Sequence, residues 1–275
     1  VFINSYYIGL FNCISKPKTS IITKAMRYLI LLSVVVFGCK TAQVATTEPT
    51  QEKAKELAQK FVITDGHVDL PYRLKVKNFQ LQREYVGIPV QSDEGDFDFV
   101  RAKEGGLDAP FMSIYIPATY SPAGGKQLAD SLIAMVNYIA DQNTDKFQVA
   151  RSPQEVADAK AKGKIALPMG MENGSPISSL DDVAYFKKKG ISYVTLTHSK
   201  ANHICDSSYD TTRLWQGLSP FGYDVVGEMV KQGVMVDISH VSDSTFWDVV
   251  RVSPVPVIAS HSSVRKFTPG FERNM

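Results

Sequence analysis

A chain of 275 residues has room for one large domain or two small ones. Its 44% hydrophobic and 21% charged residues are ordinary for a globular protein, and a net charge of +2 without a basic stripe argues against a nucleic-acid partner. The cysteines Cys13, Cys39 and Cys205 lie far apart and lack metal-type spacing, which argues against a disulfide framework.

Near the N-terminus, Arg27 precedes an apolar run from Tyr28 to Phe37. That run is too short to cross a bilayer as a helix but suits the core of a signal peptide. Gly38 before Cys39 resembles the lipobox of bacterial lipoproteins, although Phe37 departs from its pattern. By that resemblance Cys39 is the lipid-bearing first residue of the mature protein. An uncleaved anchor with a free cysteine is the plainer alternative. Met26 is a natural start, so the chain is expected to divide into an upstream extension (1–25), a lipoprotein signal peptide (26–38), a Thr- and Ala-rich tether (39–50) and one folded domain (51–275). The expected location is the bacterial cell envelope, with a lipid anchor in the membrane at Cys39.

Residues Glu52 to Lys60 have helical composition and lead into a strand, Phe61 to Asp69, whose end carries His67 and Asp69. Alternate side chains of an extended chain share a face, so these two can approach one ion together. The polar stretch from Lys75 to Gly95 reads as a long loop or small hairpin. Asp96 to Glu104 reads as a helix stopped by Gly105-Gly106, and Pro110 to Ile116 as a second strand. Leu128, Leu132, Met135, Val136 and Ile139 recur at helical spacing and predict a helix over 126–143. Ser152-Pro153-Gln154-Glu155 opens another, ended at Lys162-Gly163. Ile165 to Met171 reads as a third strand with Glu172 at its end. Asp181 to Lys189 is a helix capped by Gly190, and Ile191 to Thr197 a fourth strand ending in His198. A helix from Ser219-Pro220 to Gln232 precedes two apolar runs, Val234 to Ile238 and Val255 to Ala259. Each ends in Ser-His, at His240 and His261, with a helix opened by Ser242 between them.

Six strand–helix alternations predict a parallel α/β architecture. The C-terminal ends of parallel strands lie along one rim, and polar residues gathered there from many strands suit a TIM-like (β/α)₈ barrel better than a doubly wound sheet. The sequence ends after about six of eight units, so the expectation is an incomplete barrel with unpaired edges on its first and sixth strands.

His67, Asp69, Glu172, His240 and His261 are the candidate ligands. Imidazole nitrogen and carboxylate oxygen are the donors of a catalytic zinc site. Five exceed the usual three of one zinc, whereas a two-metal site sharing a carboxylate uses them all. Each alone has an ordinary alternative in strand-end hydrogen bonding. His203 and Cys205 read as incidental loop residues, and Asp65 and Asp237 as either orienting partners of the imidazoles or plain strand-end hydrogen-bonders.

Several segments together resemble the membrane dipeptidase (renal dipeptidase) family of zinc hydrolases. They are Asp65-Gly66-His67-Val68-Asp69-Leu70-Pro71, Gly105-Gly106-Leu107 with Phe111 to Pro117, Glu172-Asn173-Gly174, Tyr193 to His198, Gly217 to Gly222, Met235 to Ser242, Pro256 to Ser263, and Arg273-Asn274. The resemblance implies two zinc ions per chain: His67 and Asp69 on one, His240 and His261 on the other, and Glu172 bridging both. It implies His198 beside the scissile carbonyl, Arg273 on the substrate's terminal carboxylate, and attack by a metal-bridging hydroxide on a dipeptide substrate. The family's last strand supplies a proton-handling aspartate with no counterpart here, so the chain made alone is expected to be weak or inactive. The rivals are another binuclear amidohydrolase and a non-catalytic binding lipoprotein. A homodimer is possible.

Overall fold

The computed structural model describes residues 51–76, 90–93, 95–271 and 274–275. The signal peptide, tether, Cys39 and Arg273, together with most of the expected loop over 75–95, lie outside the described residues.

Helix α1 (Gln51–Lys60) leads into strand β1 (Ile63–Val68). The chain then turns at once into a short helix, α2 (Leu70–Val76), which the sequence reading did not anticipate. Leu70 and Leu74 of α2 are buried, and Arg73 N donates to Asp69 O at 3.0 Å to start its first turn. Asp98 caps α3 (Phe99–Gly105), accepting from Arg101 N, and Gly106 ends it in the left-handed region at φ 77°. Strand β2 (Leu107–Tyr115) follows.

Helix α4 (Pro122–Gln142) starts earlier than its apolar periodicity indicated. Ser121 caps it through Gly124 N, and Pro122 suits the first helical position, where no N–H is needed. Leu128, Leu132, Met135, Val136 and Ile139 are all buried, each worth about 1.5–3 kcal/mol of apolar transfer. Strand β3 (Phe147–Val149) and helix α5 (Pro153–Ala161) come next, with Ser152 capping α5 through Glu155 N.

The expected third strand is two strands. Pro168 has no N–H to give a ladder, and the run breaks there into β4 (Ile165–Leu167) and β5 (Met169–Glu172). Strand β4 pairs with β3, while β5 inserts between β2 and the next strand of the main sheet. Helix α6 (Leu180–Lys189) ends at Gly190, φ 105°, and β6 (Ile191–Thr195) begins immediately. After a long loop come α7 (Pro220–Gln232), β7 (Met235–Asp237) and α8 (Asp243–Val252). The expected sixth strand is reduced to a single parallel bridge, Asp237 to Ile258, closed by Ile258 N to Val236 O at 2.9 Å and Ile238 N to Ile258 O at 2.8 Å. Pro254 and Pro256 flank Val255 in that run, which removes two of the donors a longer ladder needs.

The main sheet has the order β1-β2-β5-β6-β7, all parallel, and forms a half-barrel with helices packed outside it. Its register is what builds the site. Tyr115 pairs with Glu172, Glu172 with Thr195, Thr195 with Asp237, and Asp237 with Ile258, so one row of residues crosses the sheet at the C-terminal strand ends. On β6 and the residue just after it the alternation is visible directly. Val194 and Leu196 join the apolar core, while Tyr193 and Thr195 face the other way and reach other strands. No helix among the described residues is long and apolar enough to cross a membrane.

Candidate metal centre

Glu172, at the end of β5, is 4% exposed and stands at the centre of the rim. His240 Nε2 lies 2.8 Å from its Oε1, His261 Nε2 3.1 Å and His198 Nε2 3.7 Å, while His67 Nε2 lies 3.4 Å from Oε2. Asp69 Oδ1 is 3.3 Å from His67 Nε2, on a side chain that is 62% exposed. His67, Asp69, Glu172, His198, His240 and His261 therefore meet in one place, drawn from β1, β5, β6, β7 and the bridged segment beyond it.

Local backbone holds these groups in place. Asn173 turns the chain sharply after Glu172 at φ 76°, a conformation its side chain supports by donating to Ile116 O at 2.8 Å and accepting from Ser175 N at 3.1 Å. His240 is also left-handed, at φ 67°. A non-glycine residue there is strained, and the loop after β6 secures it: Ser208 N donates to His240 O at 2.8 Å, and Ser208 Oγ at 3.1 Å. Ser207 Oγ reaches back to His198 O at 2.5 Å.

Two imidazoles have their far nitrogens met by hydroxyls. Tyr193 crosses the interior from β6, its Oη donating to Gly66 O at 2.8 Å and lying 3.3 Å from His67 Nδ1. Glycine at 170 makes room for that ring, since a Cβ there would stand 2.0 Å from Tyr193 Cζ. Ser260 Oγ lies 2.7 Å from His261 Nδ1. Tyr115, Tyr209 and His240 surround His198, with Tyr115 Oη 3.5 Å from His198 Nδ1 and the Tyr209 ring stacked at 6.2 Å.

The charges sort accordingly. Burial pushes the Glu172 carboxyl up, but hydrogen bonds from His240, His261 and His67 outweigh it and hold the group far below the usual carboxylate range. Burial disfavours a charge on His67, yet Asp69 and Glu172 raise it to about 10. Burial lowers His198, and with the neighbouring imidazoles it outweighs the upward pull of the Glu172 carboxylate, so the neutral form is favoured. Burial, then the charge of Glu172, raises Tyr115 to about 12.

The donor set fits a divalent cation of zinc type. His240 Nε2 and His261 Nε2 stand 2.6 Å apart and point at one spot beside Glu172, as two imidazole ligands of one cation do. Two three-donor sets have their ligand atoms within 4.8 Å of one another: His67, Glu172, His261 and Glu172, His198, His240. Both contain Glu172, and they cut across the pairing that the family resemblance implies. His203 instead bonds Ile177 O through Nε2 at 2.7 Å, and Cys205 is buried in the core.

Sequence reasoning missed Tyr193, Tyr115, Tyr209 and Ser260 as parts of this site. Period-two alternation on β6 was the available signal for Tyr193, because it shares a face with Thr195 and not with Val194.

A parallel half-barrel with imidazoles and carboxylates gathered at its C-terminal rim has the architecture of the barrel metallohydrolases. The chain belongs to the membrane dipeptidase family, Peptidase family M19, which it matches over residues 51–275. Dipeptidase tcpJ of Claviceps purpurea is 31% identical over 218 residues, covering 74% of this chain and 50% of that protein. The probable dipeptidase PvdM of Pseudomonas aeruginosa has a similar fold, with TM-score 0.72 and 21% identity over 82% of this chain and 57% of that one. The fold also matches a metallopeptidase of Rhodobacter sphaeroides, solved liganded with a phosphinate mimic of the dipeptide L-Ala-D-Ala, with TM-score 0.69 and 24% identity over 78% of this chain and 68% of that one. The chain spans about half to three-fifths of the length of the curated relatives it matches.

Proposed function

We propose that this protein hydrolyses dipeptides at a pair of zinc ions held by His67, Asp69, Glu172, His240 and His261. The observation that carries the reading is the convergence of four imidazole Nε2 atoms on the single buried Glu172 carboxylate, at 2.8 to 3.7 Å. When bound, such a metal pair polarises a carbonyl and lowers the pKa of a water nucleophile.

The chain's own residues have separable tasks. Glu172 presents one oxygen toward His67 and the other toward His240 and His261, so it suits a bridging role. His198, neutral and on the same side, donates a hydrogen bond to the substrate carbonyl oxygen as negative charge develops there. Tyr115 and Tyr209 hold the His198 ring between them. Arg273 pairs with the terminal carboxylate of the substrate, for which a guanidinium fork is suited. Substrates are dipeptides, including those with a D-residue at the C-terminal position, in keeping with the ligand of the Rhodobacter sphaeroides relative. The lipobox-like residues before Cys39 support a lipid-anchored protein of the cell envelope, and a homodimer is compatible with the reading.

The test is metal content together with binding of a phosphinate L-Ala-D-Ala mimic. About two zinc per chain and zinc-dependent binding of the mimic are expected. A chain that binds neither zinc nor the mimic overturns the reading. Zinc binding with selectivity for cyclic amides transfers it to another binuclear amidohydrolase.

A further inference from the structure

The connection from β6 to α7, residues 196–219, contains neither a helix nor a strand, a length that is uncommon unless the loop has a task. One carboxylate organises it. Asp206 is fully buried, and its side chain accepts from Leu214 N at 2.8 Å, Trp215 N at 3.3 Å and Gly217 N at 3.2 Å. Its main-chain oxygen accepts from Ser242 N at 2.9 Å and Thr245 Oγ1 at 3.2 Å, at the start of α8. The loop is closed on itself and fastened to the element that follows β7.

Tyr209 is the loop residue carried onto the imidazoles. Its N–H donates to Ser207 Oγ at 3.1 Å, and the same hydroxyl donates to His198 O at 2.5 Å. The N–H of Ser208 donates to His240 O at 2.8 Å. The backbone leading into Tyr209 is therefore pinned to His198 and to His240 alike. Its ring follows, stacked at 6.2 Å and 18° from His198 and standing 5.2 Å from His240. Yet the residue is 40% exposed. An aromatic ring held this firmly, with much of its surface still in water, is a ready apolar platform. A ligand side chain laid on it leaves water without the cost of ordering the ring.

In the reading above, His198 meets the oxygen of the scissile carbonyl. The carbon of that carbonyl belongs to the N-terminal residue of the dipeptide, whose Cα is bonded to it directly. The Cα of the C-terminal residue is one atom further off, beyond the peptide nitrogen. The side chain with the shorter reach to a ring stacked on His198 is that of the N-terminal residue.

We propose that Tyr209 is a specificity-determining residue, whose ring receives the side chain of the dipeptide's N-terminal residue and favours an apolar one larger than methyl. This rests on the dipeptidase reading above, and the experiment separates the two.

The measurement is the dissociation constant of the zinc-loaded chain for phosphinate mimics of L-Ala-D-Ala, L-Leu-D-Ala and L-Ala-D-Leu, by titration calorimetry. The wild type is expected to bind the L-Leu-D-Ala mimic about 5- to 10-fold more tightly than the L-Ala-D-Ala mimic, because part of the added hydrocarbon leaves water on the ring. In Tyr209→Ala that preference is expected to shrink to about twofold or less, and in Tyr209→Phe, which keeps the ring, to persist. If Tyr209 only supports His198, its removal weakens both mimics by the same factor and leaves their ratio unchanged, and that result overturns the proposal. A wild type without the preference also overturns it, as does a Tyr209→Ala effect confined to the L-Ala-D-Leu mimic. A wild type that binds no mimic in a zinc-dependent way brings down the dipeptidase reading and this proposal with it. Zinc-dependent binding with an unchanged ratio removes Tyr209 alone.

Discussion

His240 Nε2 lies 2.8 Å from Glu172 Oε1, although strand β6 separates the strands that carry them. Two strand spacings amount to about 9.6 Å, so both side chains must lean inward across β6 to meet. Glu172 does the same toward His261 and His67, which makes it the common member of every donor set in the site. Replacing Glu172 with Gln keeps the shape and removes the charge. Zinc content by elemental analysis is expected to fall from about two per chain to less than one. Zinc at 100 times its dissociation constant should stabilise the native chain by about 2.7 kcal/mol, a gain that chelation reverses and Glu172→Gln lacks. Unchanged zinc content in that variant would remove Glu172 from the centre.

His198 is also near Glu172, at 3.7 Å, but its position among Tyr115, Tyr209 and His240 suits a substrate contact. His198→Ala is expected to retain wild-type zinc content while binding of the phosphinate dipeptide mimic weakens by about 100-fold. Loss of a zinc ion in this variant would instead make His198 a ligand, as the set Glu172, His198, His240 allows.

Gly170 and Tyr193 form a fitted pair. A methyl group at 170 would stand 2.0 Å from Tyr193 Cζ, so Gly170→Ala must displace the ring and with it the hydroxyl that bonds Gly66 O. The expected cost is about 1–3 kcal/mol in chemical denaturation, together with weakened zinc binding. Tyr193→Phe keeps the ring and leaves Gly66 O without that donor, at about 1 kcal/mol. Equal zinc affinity in Tyr193→Phe and wild type would show that the hydroxyl does not orient His67.

Asp182 provides a pH dependence away from the site. Burial pushes its carboxyl up, but Lys126 Nζ at 2.5 Å and the N–H groups of Ser179 and Ser178 outweigh that and hold it at about 2, from an ordinary 3.8. A group depressed on folding stabilises the protein above its unfolded value and loses that contribution as pH falls through the folded one. Asp182→Asn is therefore expected to cost about 1–2 kcal/mol at pH 7 and only a small part of that near pH 2, where the folded carboxyl is half protonated, by urea denaturation at both. An equal cost at both values would assign the loss to packing alone.

Much of this protein is determined by local pattern. Ser121, Ser152 and Ser242 with their helices, Gly106 and Gly190 at helix ends, and the alternation of strand with helix follow from capping chemistry and from periods of 3.6 and 2. His67, Glu172, His198, His240 and His261 stand out in the chain because each ends or follows an apolar run. The break at Pro168 was equally present in the sequence, as a missing donor, but whether the chain would bend through it or change sheets depended on β3, which is too short to read.

What the sequence could not determine is who meets whom across the rim. The register Tyr115–Glu172–Thr195–Asp237–Ile258 arises from hydrogen bonds between strands far apart in the chain, and a one-residue slip would turn the whole row outward. That register is what brings Ser260 between Asp237 and His261, and the cross-barrel reach of Tyr193 is what sets it against His67. Residue types that can bind a cation are written locally; their convergence on one carboxylate is a property of strand pairing, and only the tertiary structure decided it.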